Sequence, residues 1–262
     1  MKYIDEKQQQ DLLSRALRED EIFCFRCHRG LSCFTRCCRN LTLFLYPYDV
    51  LRLKNCLGMR SDRFLEQHTE MVLRQGNSFP DVLLSMSEDE DKTCPFLTKQ
   101  GCSVYPDRPD TCRTFPLEQG ILFEGPRGAA RDVYFFRPPD FCLGRKETDR
   151  WTASSWEQDQ EAVEYHRMTR CWAELKALFQ NDPWGPEGAS GQKGRMALMA
   201  TYNLDRFREF VFRSTFLKRF KVKKDVLKKI ETNEVSLMLF GFEWVKLFVW
   251  GIRAKHVRPR TP

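Results

Sequence analysis

No stretch of this sequence has the roughly 20 uninterrupted apolar residues that a membrane-spanning helix needs. The longest apolar run, Val235 to Ile252, is interrupted by Glu243 and Lys246, and reads as a buried helix with no membrane span. The N-terminus, MKYIDEKQQQDLLSRALREDEIF, has neither an apolar h-region nor a small-residue cleavage site. It does not read as a signal peptide, so the expected localisation is the reducing cytoplasm. There is no Gly-x-Gly-x-x-Gly loop to cradle a nucleotide, and no internal repeat. Histidine is scarce, at 4 of 262 residues, and no Ser/His/Asp set stands out. Cysteine is absent after Cys171.

What is present is uneven. The chain carries 11 cysteines, all in its first two thirds, together with 21 Phe, 6 Trp and 7 Tyr. That aromatic content is ample core material and excludes disorder throughout. The net charge is +7, yet residues 1–150 hold 23 basic and 23 acidic side chains, whereas residues 151–262 hold 20 and 13. The cysteine-rich part is therefore neutral and the cysteine-poor part basic. In a reducing compartment, an odd and clustered set of cysteines points to metal or redox chemistry more than to disulfides.

Spacing and punctuation predict mainly α structure with irregular Cys-rich loops. Helices are expected over 5–22, over 47–57 from Pro47 to the Gly58 stop, and from a Ser61 cap to about Arg74. A loop follows, with a short strand near Val82–Ser85. Pro95, Gly101, Pro106, Pro109 and Pro116 exclude a long helix over 94–116. Strands at 120–124 and 131–136, joined by Gly-Pro-Arg-Gly, read as one small hairpin. Ser154 and Glu157 read as a capping box opening a helical pattern of Trp156, Val163, Trp172, Leu175 and Phe179. A mobile Pro/Gly linker is expected at 183–191, then a helix over 195–213 and shorter ones at 223–231 and 234–250. The expected organisation is a metal-binding region, 1–145, and a basic helical region, 146–262, packed on it as one unit.

The chemistry lies in the cysteines. Cys24, Cys27, Cys33, Cys37 and Cys38 form one cluster, Cys94, Cys102 and Cys112 a second, and Cys142 stands alone in Phe-Cys-Leu-Gly. On a helix, Cys33 and Cys37 would share a face and point at one ion. The adjacent Cys37 and Cys38 point apart, which suits two neighbouring ions or a multinuclear cluster. Thiolates favour zinc or iron–sulfur centres. Arg26, Arg29, Arg36 and Arg39 among the first cluster, with Arg108 and Arg113 beside Cys112, are expected to lower thiol pKa values. Cys56 and Cys171 read as core fillers and Cys24 as a bystander. His28 is a ligand or a backbone hydrogen-bonding imidazole, and Asp49 a helix-start residue.

The segment CHRGLSCFTRCCRN from Cys27, followed by CPFLTKQGCSVYPDRPDTCRTFP from Cys94, resembles the CxxCxxCC (YkgJ) family of cysteine-cluster proteins, in a longer subfamily form. The resemblance runs over roughly 25–255. It implies a zinc- or iron-chelating domain, with Cys27, Cys33, Cys37, Cys38, Cys94, Cys102, Cys112 and Cys142 as metal ligands in a buried thiolate centre. Eight thiolates suit two four-thiolate sites or one larger cluster. Around two divalent ions they would make the neutral half acidic, with the basic half as its counterweight.

Two other readings follow. The family resembles the flagellin lysine methylase, which carries a similar cluster and uses S-adenosylmethionine, so a protein lysine methylase-like enzyme is one alternative. The radical-enzyme spacing CxxxCxxC is missing. The other alternative is a nucleic-acid partner for the basic helices. From Arg206 onward there are 15 basic against 5 acidic residues, densest at Lys218, Arg219, Lys221, Lys223, Lys224, Lys228 and Lys229. No recognised nucleic-acid reader motif accompanies that patch, and no substrate or protein partner can be named from the residues.

Overall fold

The structure is a computed structural model and describes residues 13–123 and 130–260. It is mainly helical, with several sheets of two or three strands. Packing divides the chain into two units, each made of two segments. The first holds the described residues up to Leu43 and Ser85–Arg170; the second holds Phe44–Leu84 and the described residues from Cys171 onward. The expected division at 145/146 runs through the first unit.

In the first unit, Phe23–Cys24 pairs antiparallel with Arg150–Trp151. Phe23, Phe25, Leu117, Ala153 and Trp156 form its apolar core, with Phe23 and Phe25 both edge-on to Trp156. The Trp156 indole N–H donates to the Thr114 carbonyl (2.9 Å), so the largest core side chain also satisfies its polar atom. The strands Leu117–Phe123 and Ala130–Phe136 pair in register from Leu117↔Phe136 to Phe123↔Ala130, which is the expected hairpin begun earlier. Its Gly-Pro-Arg-Gly turn lies outside the described residues, as do residues 5–12 of the expected first helix. From Ser14 to Ile22 that segment is turn and extended chain.

Two helix starts differ from expectation. The helix Ala153–Asp159 is capped by Thr152, whose Oγ1 accepts from the Ser155 N–H (3.2 Å), while Ser155 Oγ accepts from the Thr152 N–H (2.9 Å). The box is therefore Thr152/Ser155, because the strand Arg150–Trp151 carries extended backbone up to Thr152. Glu157 is left for another partner. The expected single helical run from Trp156 also breaks where Glu161 adopts φ 54, and a second helix spans Val163–Leu178.

That second partner of Glu157 is His166, which is fully buried. Its Nδ1 lies 2.9 Å from Glu157 Oε1 and 3.1 Å from the Tyr134 hydroxyl; its Nε2 lies 3.1 Å from Thr114 Oγ1 and 3.3 Å from Asp110 Oδ1. Thr169 donates to the other Asp110 oxygen (2.6 Å). Burial alone would lower the imidazole pKa. The hydrogen bonds and charges of Asp110 and Glu157 outweigh it and hold the ring at about 9.

In the second unit, Pro47–Cys56 forms the expected helix, and Asp49 caps it by accepting the Tyr46 N–H (2.8 Å). The next helix ends at His68, short of the expected Arg74, because Thr69 turns extended and Thr69–Val72 pairs with Asp81–Leu84. Phe44–Leu45 completes that sheet on the other edge of Asp81–Leu84. Ser61 does not cap its own helix. Its hydroxyl donates to Asn203 Oδ1 (2.9 Å) and accepts from the Asp205 N–H (2.9 Å). Asn203 caps the helix Leu204–Arg213 and separates it from Gln192–Tyr202, so the expected 195–213 helix is two.

The expected linker at 183–191 is packed. Trp184 is buried and its indole N–H donates to the Ser78 carbonyl, and Phe79 stacks on Phe179 at 4.2 Å. The last long helix, Glu234–Trp250, starts at the Asn233 cap and ends at Gly251 with φ 67. A Cβ on Gly241 would lie 2.2 Å from the Ala200 carbonyl, so only glycine permits this close helix packing. Among the described residues, no helix is long and apolar enough to cross a membrane.

The second unit also buries a charge pair. Asp81 meets Lys176 (2.7 Å), Arg74 (2.7 Å) and Asn77 (2.8 Å), and the Asp81 and Lys176 side chains are 8% and 9% exposed. Truncation of one partner strands the other in a low-dielectric site. Asp81→Ala is expected to cost about 3–5 kcal/mol, read as a lower urea midpoint with unchanged slope. In the first unit, His166 keeps its proton when folded up to about pH 9, whereas a histidine in the unfolded chain loses it near 6.5. The stabilisation from the charged ring is complete below the lower value and is lost as pH rises through the higher one. The stability gap between the parent and His166→Gln should therefore narrow between those two pH values. A gap independent of pH would show that the ring is neutral.

Candidate metal centre

The chain brings the cysteines together through backbone pairing. Cys94 N–H donates to the Cys38 carbonyl (2.9 Å) and Asn40 N–H to the Lys92 carbonyl (3.0 Å), with Arg39 and Thr93 bridged between them. The first cluster is thereby joined to the second. Leu97–Thr98 then pairs with Gly101–Cys102, placing Leu97 opposite Cys102, and Leu97 N–H donates to the Cys94 carbonyl (3.0 Å). Gly101, at φ 112, makes that turn. Cys112 sits in the short helix Asp110–Thr114.

Arg108 and Arg113 clamp the loop before it. Arg108 donates to the Tyr105 carbonyl (2.7 Å) and Gln160 Oε1 (2.8 Å), and buried Arg113 to the Gln160 (2.7 Å) and Pro106 (2.5 Å) carbonyls. This is how a proline-rich segment with little regular structure is held.

On the other side, the Leu143 N–H donates to Cys33 Sγ (3.2 Å). Arg26 N–H reaches the Gly144 carbonyl (3.2 Å) and Phe25 N–H the Asp149 carbonyl (2.9 Å). A Cβ on Gly144 would stand 2.7 Å from the Arg26 carbonyl, so the Cys142 turn lies against the strand leading to Cys27 only because residue 144 is glycine. The segment from His28 to Cys38 is a chain of turns ending in one 3-10 turn, Arg36–Cys38. Thr35 at φ 64 interrupts it, which excludes the helical face expected for Cys33 and Cys37.

The eight expected ligands are electrostatic neighbours. Partial desolvation by the surrounding chain, although the residue is exposed, pushes the Cys27 thiol up to about 11, with further raising by Cys37, Cys142 and Cys33. Cys142 is raised by burial and by Cys33 and Cys37. Cys94 is raised by burial and by Cys102 and Cys37. Cys37 and Cys38 share a hydrogen bond that lowers the first and raises the second, and Cys38 is raised further by burial, Cys37, Cys112 and Cys94. Cys33, Cys102 and Cys112 enter as groups that act on these thiols. Cys27, Cys33 and Cys142 form one group and Cys38, Cys94, Cys102 and Cys112 another, with Cys37 acting on both.

The arginines do less than expected. Arg108 lowers Cys102, but burial outweighs it and leaves that thiol raised. The others have different partners: Arg36 lies over the Phe141 ring (4.8 Å), Arg39 reaches Thr93 (3.0 Å) and Asp91 (3.5 Å), and Arg26 faces Asp149 (3.8 Å).

The centre is not buried as expected. Cys142 alone of the eight is buried; Cys27 is exposed and the rest are intermediate. All eleven cysteines are uncrosslinked. Among the described residues, no three His, Cys, Asp or Glu side chains converge on a common ligating position. The donor chemistry fits a soft metal, while the thiols are neighbours rather than a preformed cage. Cys24 is exposed, and Cys56, expected in a core, is exposed in the second unit, which also contains Cys171. His28 Nδ1 accepts the Gly30 N–H (3.1 Å), the backbone role rather than a ligand role. The buried His166 network, which holds the Asp110–Thr114 helix under Cys112, is invisible in sequence because the groups on its ring lie 9 to 56 residues from His166.

Residues 26–152 match a family model described as "Putative zinc- or iron-chelating domain", the CxxCxxCC family. No curated protein and no solved structure matches the chain. The matched segment spans all eight neighbouring cysteines and just under half of the chain, which over that span is similar to the CxxCxxCC family.

Proposed function

We propose that this protein chelates zinc or iron, with Cys27, Cys33, Cys37, Cys38, Cys94, Cys102, Cys112 and Cys142 as its thiolate donors. The observation that carries this reading is that all eight are uncrosslinked and linked as electrostatic neighbours, each acting on or shifted by another. Mutual repulsion raises the cost of ionising them together, and a bound cation reverses that sign. The two groups joined through Cys37 favour two ions, or one multinuclear centre, over a single isolated site. Bound zinc would supply a structural crosslink; an iron–sulfur centre would supply electron transfer.

The chain's own part is to bring the donors near one another and let them close. Backbone pairing at Cys38/Cys94 and the Leu143 contact to Cys33 fix the main chain, and the intermediate exposure of most of these cysteines gives a metal ion access to them. Metal binding then adds to the stability of the first unit.

Anaerobic purification followed by metal analysis and a visible spectrum tests this. Zinc or iron should co-purify, with colour and acid-labile sulfide only for an iron–sulfur centre. Cys38→Ser should lose most of the metal, Cys56→Ser should keep it, and a chelator should lower the melting temperature of the parent. A metal-free parent, or unchanged metal content in Cys38→Ser, would overturn the assignment.

A further inference from the structure

The second unit contains a cavity of about 210 Å³ lined by no cysteine. Its walls are aromatic: Phe210, Phe216, Phe220, Trp244 and Phe248. Trp244 is 1% exposed, and its indole N–H is buried without an acceptor among the described residues. Buried indole N–H groups ordinarily find a partner, but this one has no accessible surface, so Trp244 offers the cavity its apolar ring and not its donor.

The cavity is also lined by Arg219, which is exposed. No carboxylate lies within ion-pair range of its guanidinium among the described residues. Its backbone is fixed, since the Arg260 N–H donates to the Arg219 carbonyl (2.8 Å) and the adjoining strand Phe220–Val222 pairs with Val257–Pro259. That pairing sets Lys221 opposite Arg258, so the neighbouring surface is cationic. Glu187, whose carboxylate meets the lining residue Gln192, is engaged by that residue's backbone N–H (3.0 Å).

We propose that this cavity binds a small aromatic carboxylate, with its ring against the Phe and Trp walls and its oxygens accepting from the Arg219 guanidinium. The volume sets the size. A cavity of about 150 Å³ takes benzene, so this one suits a ring carrying a short acid side chain. The aromatic walls favour a ring, by offset and edge-on packing. The uncompensated guanidinium favours an anion over a neutral molecule. The cysteines contribute nothing to this site, so it stands apart from the metal reading.

The test is calorimetric titration of the full chain with 3-phenylpropionate and with its neutral counterpart 3-phenylpropanol. The acid should bind saturably and about tenfold more tightly than the alcohol, the gain typical of a charge-assisted hydrogen bond. Arg219→Gln, a change at an exposed side chain, should bring the two ligands to parity. Met196→Trp, which fills the cavity from another lining residue, should abolish both. Absence of saturable binding at millimolar concentration, equal affinity for acid and alcohol in the parent, or a preference that survives Arg219→Gln would each overturn the proposal.

Discussion

Two backbone hydrogen bonds, Cys94 N–H to Cys38 and Asn40 N–H to Lys92, are the constraint on which the cysteine site depends. They join segments more than fifty residues apart in sequence, and the intervening Phe44–Leu84 belongs to the second unit. The first unit can therefore assemble its site only when the chain returns to it at Ser85. Thiol side chains are weak hydrogen-bonding groups and could not enforce that return themselves. Main-chain groups do it, supported by the Arg108 and Arg113 clamps on the loop before Cys112. Here arginine serves as scaffold, spending its donors on carbonyl groups in a segment whose prolines exclude a long helix.

That division of labour explains the electrostatics. Interleaved arginines ought to depress thiol pKa values, and a sequence shows only that they are nearby. Their guanidinium groups are instead occupied by carbonyls, a phenylalanine ring or carboxylates, and the thiols are left to burial and to one another. Cys27, Cys94, Cys102 and Cys142 all move up. These four thiols hold their protons at neutral pH and are poor free nucleophiles, whereas the hydrogen bond with Cys38 lowers Cys37 to about 7. A cation that displaces the protons removes the repulsion and converts the same cluster into a favourable one.

The parts of the fold legible in the sequence were those fixed by local chemistry. Pro47 and Gly58 bracketed a real helix, Asp49 proved to be its capping carboxylate, and the 117–136 strands followed from alternation and turn residues. What local chemistry missed was decided by distant partners. Ser61 looks like a cap, but its hydroxyl is used by Asn203 and Asp205. Glu157 looks like half a capping box, but it is held by His166. Pro183–Gly191 looks like a free linker, but Trp184 anchors it against Phe79. For the site, the family resemblance named eight cysteines, and these are electrostatic neighbours. It could not reveal that Thr35 breaks the supposed helix, nor that the set lies near the surface.

The surface position bears on what kind of metal site this could be. A structural zinc site of the closed type holds its four donors in fixed tetrahedral geometry, and its thiols would be expected to converge and be shielded. Here the backbone is ordered by hydrogen bonds, yet seven of the eight thiols keep some exposure. Such a set lets a metal ion or a preassembled cluster approach from solvent and be engaged one donor at a time. The His166 network steadies one part of that frame. Asp110 and Thr114 both contact the buried ring, so the helix carrying Cys112 is pinned from beneath while its thiol remains accessible. A hydrogen-bonded backbone under partly exposed donors suits acquisition of a metal after folding better than a centre around which the chain must first collapse.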